Sequence, residues 1–203
     1  MSRKLMTAPS GNLAIFDLDD TLTRGDTLVP WLVAIAGRRR FLTAVARAGW
    51  ARFRAAPLAD RRTVFKEALQ VPLLNGVSVE RADQAARAVA PRIRWKEVAP
   101  KAFDDHLAKG DRVLVATGAA RMAAEHFVTH RFGDQFTIIG TELEQRDGRL
   151  TGRLDGANCV RQAKAEAVQQ WLDDHGPFKE IWGYGNKPHD LPMLALVDHA
   201  RVI

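Results

Sequence analysis

The chain has a single cysteine, Cys159, among its 203 residues. One thiol excludes an intramolecular disulfide, and the scarcity fits a reducing compartment. Long apolar runs are missing as well. The longest nearly uncharged stretch, Thr27 to Gly37, is too short to span a bilayer and is interrupted by Pro30. The opening MSRKLMTAPSGN carries basic residues with no apolar segment behind them, so it does not read as a secretory signal. No internal repeat or low-complexity segment is found. The expected location is the cytoplasm.

What is present is ordinary in bulk: 46% hydrophobic and 27% charged residues, the balance of a globular protein. The length suits one sizeable core, or a core with a small second module. Net charge is +6, and the excess is local. Arg38, Arg39, Arg40, Arg47, Arg52, Arg54, Arg61, Arg62 and Lys66 face only Asp60 and Glu67 in the same stretch. Such a cluster either solvates a helix face or attracts phosphates, acidic membranes or nucleic acid.

Two textures divide the chain. Leu13 to Asp17, Arg112 to Ala116, Phe136 to Thr141 and Glu180 to Gly185 are short apolar runs ending at Gly, Thr or Asp. They predict parallel strands buried on both faces, and the final HARVI predicts one more. Between the later runs, Arg121 to Phe132, Arg161 to His175 and Asp190 to Val197 predict helices. This alternation specifies an α/β fold, a doubly wound, mostly parallel sheet with ligands at the carboxyl ends of its strands. Glu142 to Leu154 alternates around Asp147-Gly148, a hairpin signal. Residues 26–98 differ: rich in Ala, Arg, Leu and Val, with Phe41, Val45, Ala48 and Phe53 at helical spacing. Residues 1–25 and 99–203 are therefore expected to form the α/β core, and 26–98 an inserted all-helical module.

Chemistry is concentrated at the predicted strand ends. The run Leu13 to Phe16 breaks into Asp17, Asp19 and Asp20, closed by Thr21. A buried strand ending in clustered negative charge calls for a positive partner. Carboxylates two residues apart can face one cavity while Leu18 points elsewhere. After the next strand, Thr117 and Gly118 offer a hydroxyl and backbone N–H groups suited to a phosphate. Lys164 lies near a helix start, where by itself it reads as a surface charge. In GYGNKPHDLPML, Asn186 and Asp190 sit in a Gly- and Pro-containing turn, an oxygen set that suits a hard cation.

Together FDLDDTLTRGD, ATGAA, DGRLTGRL, NCVRQAK and GYGNKPHDLPMLALV resemble the haloacid dehalogenase superfamily of aspartate-nucleophile phosphatases. Within it they resemble the subgroup that contains phosphoserine phosphatase, with a helical cap between the first and second motifs. The resemblance implies a Mg²⁺-dependent phosphomonoesterase. Asp17 would be the nucleophile that forms an aspartyl-phosphate, and Asp19 the acid and then the base. Thr117, Gly118 and Lys164 would hold the phosphoryl oxygens, with Asp26 and His189 as further substrate contacts. Mg²⁺ would be held by Asp17, the Asp19 carbonyl, Asn186 and Asp190.

Many relatives place an aspartate where this chain has Asn186, and Ser, Thr or Gly where it has Lys187. Asp26 falls where phosphoserine phosphatases hold the substrate ammonium, or else it caps the first inserted helix. The stretch FKEALQVPLL lacks the arginine those enzymes use for the serine carboxylate, which argues against phosphoserine. A small phosphorylated metabolite is the expected partner. The rival readings are a lipid-phosphate phosphatase in peripheral contact with an anionic membrane, suggested by Arg38 to Arg40 with Trp31, Phe41 and Trp50, and a non-catalytic phosphate binder. Nucleic acid has only the basic charge in its favour.

Overall fold

The structure is a computed structural model that describes the backbone of residues 11–54 and 61–203, and the side chains of 11–50 and 68–203. The opening segment, Phe53, and Arg52, Arg54, Arg61, Arg62 and Lys66 of the basic cluster have side chains outside the described residues.

Strand β1 (Leu13–Phe16) is followed by a tight turn, Leu18–Leu22, and then by α1 (Leu28–Ala36), α2 (Arg38–Arg54), α3 (Arg61–Leu74) and α4 (Val79–Val89). The chain continues through α5 (Val98–Ala108), β2 (Arg112–Ala120), α6 (Arg121–Phe132), β3 (Thr137–Thr141), β4 (Leu143–Arg146) and β5 (Arg149–Leu154). It ends with α7 (Arg161–His175), β6 (Ile181–Gly185), α8 (Leu191–Leu194) and β7 (His199–Val202). Five strands form one parallel sheet in the order β3-β2-β1-β6-β7.

Every residue of β1 is buried because it is the central strand, covered on both faces. The two-residue period sends Leu13 and Ile15 to one side, against Leu114, Val168 of α7 and Met193. Ala14 and Phe16 face the other side, with Phe103 of α5 and Ala124 and Val128 of α6. This is the doubly wound arrangement that the alternating sequence predicts.

Two elements differ from expectation by more than one residue at an end. The last helix spans only Leu191–Leu194, not Asp190 to Val197. Asp198 is tied to Ile181 by both its N–H (3.0 Å) and its carboxylate (2.8 Å), so the chain must leave the helix before it to feed β7. Strand β2 runs on to Ala120 instead of ending at Ala116, with its pairing to β3 shifting between those residues. Thr117 and Gly118 therefore lie inside an irregular strand end.

The helical insert leaves and rejoins the core side by side. Thr23 and Trp95 form an antiparallel bridge, Arg24 N–H donates to Arg94 O (2.8 Å), and Lys96 N–H to Leu22 O (2.9 Å). Its apolar cluster, including Trp31, Leu32, Leu73 and Ala86, extends to Phe127 of α6 and to Leu143 and Leu150 of the hairpin. Asp147 (φ 49°) and Gly148 (φ 72°) make the hairpin turn, both with the left-handed backbone that a two-residue connection requires. Among the described residues, no helix is long and apolar enough to cross a membrane.

Hairpin and insert meet at Gly152. Its φ is 79°, and a Cβ there would lie 2.5 Å from Val71 Cα. Gly156, at φ 87°, faces open space. Gly152→Ala is expected to lose about 2 kcal/mol or more of stability in denaturant unfolding, and Gly156→Ala only about 1 kcal/mol, the cost of the left-handed conformation alone. Equal losses would refute the close approach as the reason for glycine.

Candidate active site

Asp17 follows β1 directly and remains in the sheet ladder, its N–H donating to Tyr184 O (2.9 Å). The chain then kinks: Asp19 is extended (φ −71°, ψ 128°) and Asp20 left-handed (φ 60°). Leu18 goes into the core, while Asp17 and Asp19 line one cavity of about 740 Å³. The tight turn brings Thr21 back so that its hydroxyl donates to Asp17 Oδ2 (2.7 Å).

Lys164, on the first turn of α7, is no surface charge. Its side chain is buried, and Nζ donates to Asp17 Oδ1 (2.7 Å) and Asp190 Oδ1 (2.6 Å). The second oxygen of Asp190 accepts the Asn186 N–H (2.8 Å), which fixes the turn after β6. Gly185 leaves room for this packing, since a Cβ there would lie 2.6 Å from Asp190 Cβ.

Charge is finely balanced here. Burial pushes the Asp17 carboxyl up, Lys164 pulls it down and Asp190 pushes it up again, leaving it raised. Burial alone would lower the Lys164 ammonium, but Asp17 and Asp190 outweigh it and hold the lysine protonated. The Asp19 carboxyl is pushed up to about 7, by burial first, then by Asp26 and Asp17, against the Thr27 N–H that donates to its Oδ1 at 3.0 Å. A group so placed can carry a proton near neutrality.

The other expected site residues are distributed around this core. Gly118 lines the cavity, and its missing side chain admits Val160, whose Cγ1 would lie 2.6 Å from a Cβ. Thr117 is buried beneath, and its hydroxyl accepts the Ala119 N–H (3.0 Å), so that amide is already engaged. Asp26 lines the cavity yet is also a helix cap, with Oδ1 accepting Leu28 N–H (2.8 Å) and Val29 N–H (3.1 Å). His189 lines the cavity and accepts from Arg161 Nε at Nδ1 (3.3 Å). Lys187 is exposed at its edge. Sequence reasoning missed Thr21 as a partner of Asp17, the Thr27 amide and Arg161. For Thr21 the spacing of four from Asp17 was the available signal, but it required the tight turn.

Among the described residues, no three His, Cys, Asp or Glu side chains gather as a metal cluster. The candidate donors are instead mixed oxygens: the Asp17 and Asp190 carboxylates, the Asp19 carbonyl and the Asn186 amide. Asn186 Nδ2 donates to Asp19 O at 3.0 Å, so a half-turn of the amide would set its oxygen beside that carbonyl. Such a hard, oxygen-only set fits Mg²⁺.

The sequence profile of the haloacid dehalogenase-like hydrolases matches residues 14–195, which includes every group just described. The chain belongs to the haloacid dehalogenase-like hydrolases. It is 32% identical over 205 residues to Protein CicA of Caulobacter vibrioides, covering 95% of this chain and 87% of that one. It is 35% identical over 97 residues to a histidinol-phosphatase of Neisseria meningitidis, covering 45% of this chain and 43% of the relative, so it spans less than half of that protein's length. A protein of unknown function from Bordetella pertussis has the same fold, with a TM-score of 0.72 at 25% identity, covering 94% and 89% of the two chains. The family assignment makes this chain a hydrolase related to phosphatases.

The buried triad supplies a test of its own. Lys164→Met leaves Asp17 and Asp190 facing each other without a cation. In metal-free buffer it should lower unfolding stability by about 3 kcal/mol, the usual result of removing one partner from a buried ion pair. A loss below about 1 kcal/mol would show that the lysine does not hold the two carboxylates together.

Proposed function

We propose that the chain is a Mg²⁺-dependent phosphomonoester hydrolase that works through an aspartyl-phosphate on Asp17. The observation that carries this reading is the Lys164 ammonium, buried between Asp17 and Asp190 at the base of a cavity that Asp19 also lines. In this reading 1–25 and 99–203 form the catalytic core, and 26–98 is a cap over its substrate. The substrate is a small phosphorylated metabolite, and the single, buried Cys159 fits a cytoplasmic setting.

The roles follow from position. Thr21 and Lys164 hold the two oxygens of Asp17, orienting the carboxylate for attack on phosphorus. Asp17 forms its bond to phosphorus as the bond to the leaving oxygen breaks, and Asp19 gives that oxygen its proton. Asp19, now ionised, takes a proton from the water that hydrolyses the acyl phosphate. Lys164 and the backbone at Gly118 face the charge spreading over the phosphoryl oxygens. Mg²⁺, held by Asp17, the Asp19 carbonyl, Asn186 and Asp190, would supply positive charge beside the nucleophile and the phosphate. Asn186 brings no charge to that set, which leaves Asp17 and Asp190 as its anionic members.

Asp17→Asn tests the covalent mechanism against a non-catalytic phosphate binder. Wild type should hydrolyse 4-nitrophenyl phosphate only with Mg²⁺, and the variant, folded by circular dichroism, should lose on the order of a thousandfold or more in kcat. A variant as active as wild type rules out the aspartate nucleophile, and an inactive wild type favours the binder.

A second reading, action on a lipid phosphate at a membrane surface, is favoured by α2. Its 17 residues include no acid, and the face opposite the packed Ala44 and Ala48 carries Leu42 and Trp50, 66% and 65% exposed. Exposed Arg38, Arg39, Arg40 and Arg47 surround them. Basic residues around exposed Leu and Trp make an interfacial pattern. Trp31 does not join it, being buried with Nε1 donating to Ala82 O (2.9 Å), and Phe41 is only partly exposed. On this reading wild type sediments with phosphatidylglycerol-containing vesicles, and Arg39→Gln/Arg47→Gln weakens binding roughly tenfold or more, since each basic residue contributes about 1 kcal/mol. Binding that ignores salt, or none at all, removes this reading.

A further inference from the structure

Arg161 has a backbone that suits glycine, with φ at 52°. It is exposed, lines the cavity, and begins α7 three residues before Lys164. Both cations line the same cavity, Lys164 buried and Arg161 exposed to solvent. Among the described residues no carboxylate pairs with Arg161. Its Nε donates to His189 Nδ1 (3.3 Å), a bond that does not use the two terminal guanidinium nitrogens. A non-glycine residue held at positive φ loses about 1 kcal/mol or more of stability, so a compensating use of the side chain is called for.

We propose that Arg161 selects substrates that carry a second anionic oxygen group, a carboxylate or another phosphate, a few bonds from the scissile phosphoryl. This deepens the phosphatase reading and rests on it. The guanidinium presents a planar fork of donors that matches either group, whereas a neutral hydroxyl at the same place would gain little. His189 holds Nε and so orients the fork, while Lys187 at the cavity edge adds charge of the same sign. Of the acidic residues that line the cavity, Asp26 uses Oδ1 to cap α1, and Lys96, whose Nζ donates to the Asp20 carbonyl (2.5 Å), is a further cation in the lining.

The test uses three esters with one three-carbon skeleton: 1,3-propanediol monophosphate, its bisphosphate, and 3-phosphonooxypropionate. Wild type should favour the two doubly anionic esters in kcat/KM. In Arg161→Gln the ratio of charged to neutral kcat/KM should fall about tenfold or more, the usual scale for hydrogen bonds to charged groups. Loss of preference for one charged ester alone identifies whether carboxylate or phosphate is the natural group. Arg161→Gly should lose the same preference while its melting temperature rises, because glycine relieves the backbone. A ratio unchanged within twofold in both variants overturns the proposal even if the enzyme remains a phosphatase. If wild type turns over neither these esters nor 4-nitrophenyl phosphate, the phosphatase reading fails. Calorimetric titration with the bisphosphate then decides for Arg161: weaker binding by Arg161→Gln supports it, and equal binding overturns it.

Discussion

One ammonium group organises this molecule. Lys164 reaches from α7 to the end of β1 and to the turn after β6, joining three segments that are far apart in sequence. Two carboxylates buried at the end of a sheet would repel each other, and burial already makes each costly to ionise. The lysine between them is what lets both stay at the base of a cavity. The nearest partners are built around this charge: the Thr21 hydroxyl takes the remaining oxygen of Asp17, and the Asn186 backbone N–H takes that of Asp190.

The same arrangement separates the two aspartates of the first motif. Asp17 has its cation at contact distance, while Asp19 has only an amide and a hostile field from Asp26 and Asp17. Burial raises both carboxyls, but only Asp17 has a cation in contact to favour its anion. That is the condition for using one carboxylate as an anion and the other as a proton carrier.

Much of this was legible in the sequence, for reasons that can be stated. The central strands lack surface positions, so they appear as unbroken apolar runs, and α6 and α7 start and stop where the pattern says. Asp147-Gly148 announced its turn because few other residue pairs tolerate two positive φ values. Lys164 could not be read from its neighbours, since its burial comes from a strand 147 positions away. Only the resemblance to a family singled it out. Arg161 was hidden for a different reason: backbone strain leaves no trace in composition. The exposure of Trp50 and the burial of Trp31 were likewise indistinguishable by type, because both lie in helices of similar texture.

The apolar cluster that joins the insert to α6 and the hairpin has a consequence for how the chain is partitioned. Topology marks α1 to α4 as an interruption between β1 and α5, attached by two adjacent crossings and open to deletion on paper. Packing does not respect that boundary. Phe127, Leu143 and Leu150 belong to the later part of the chain, yet their companions are Trp31, Leu32 and Leu73 of the insert. Excising the insert would expose an oily seam on what remained, and the excised piece would lose a wall. The two parts share one account with the solvent, and neither is a spare part.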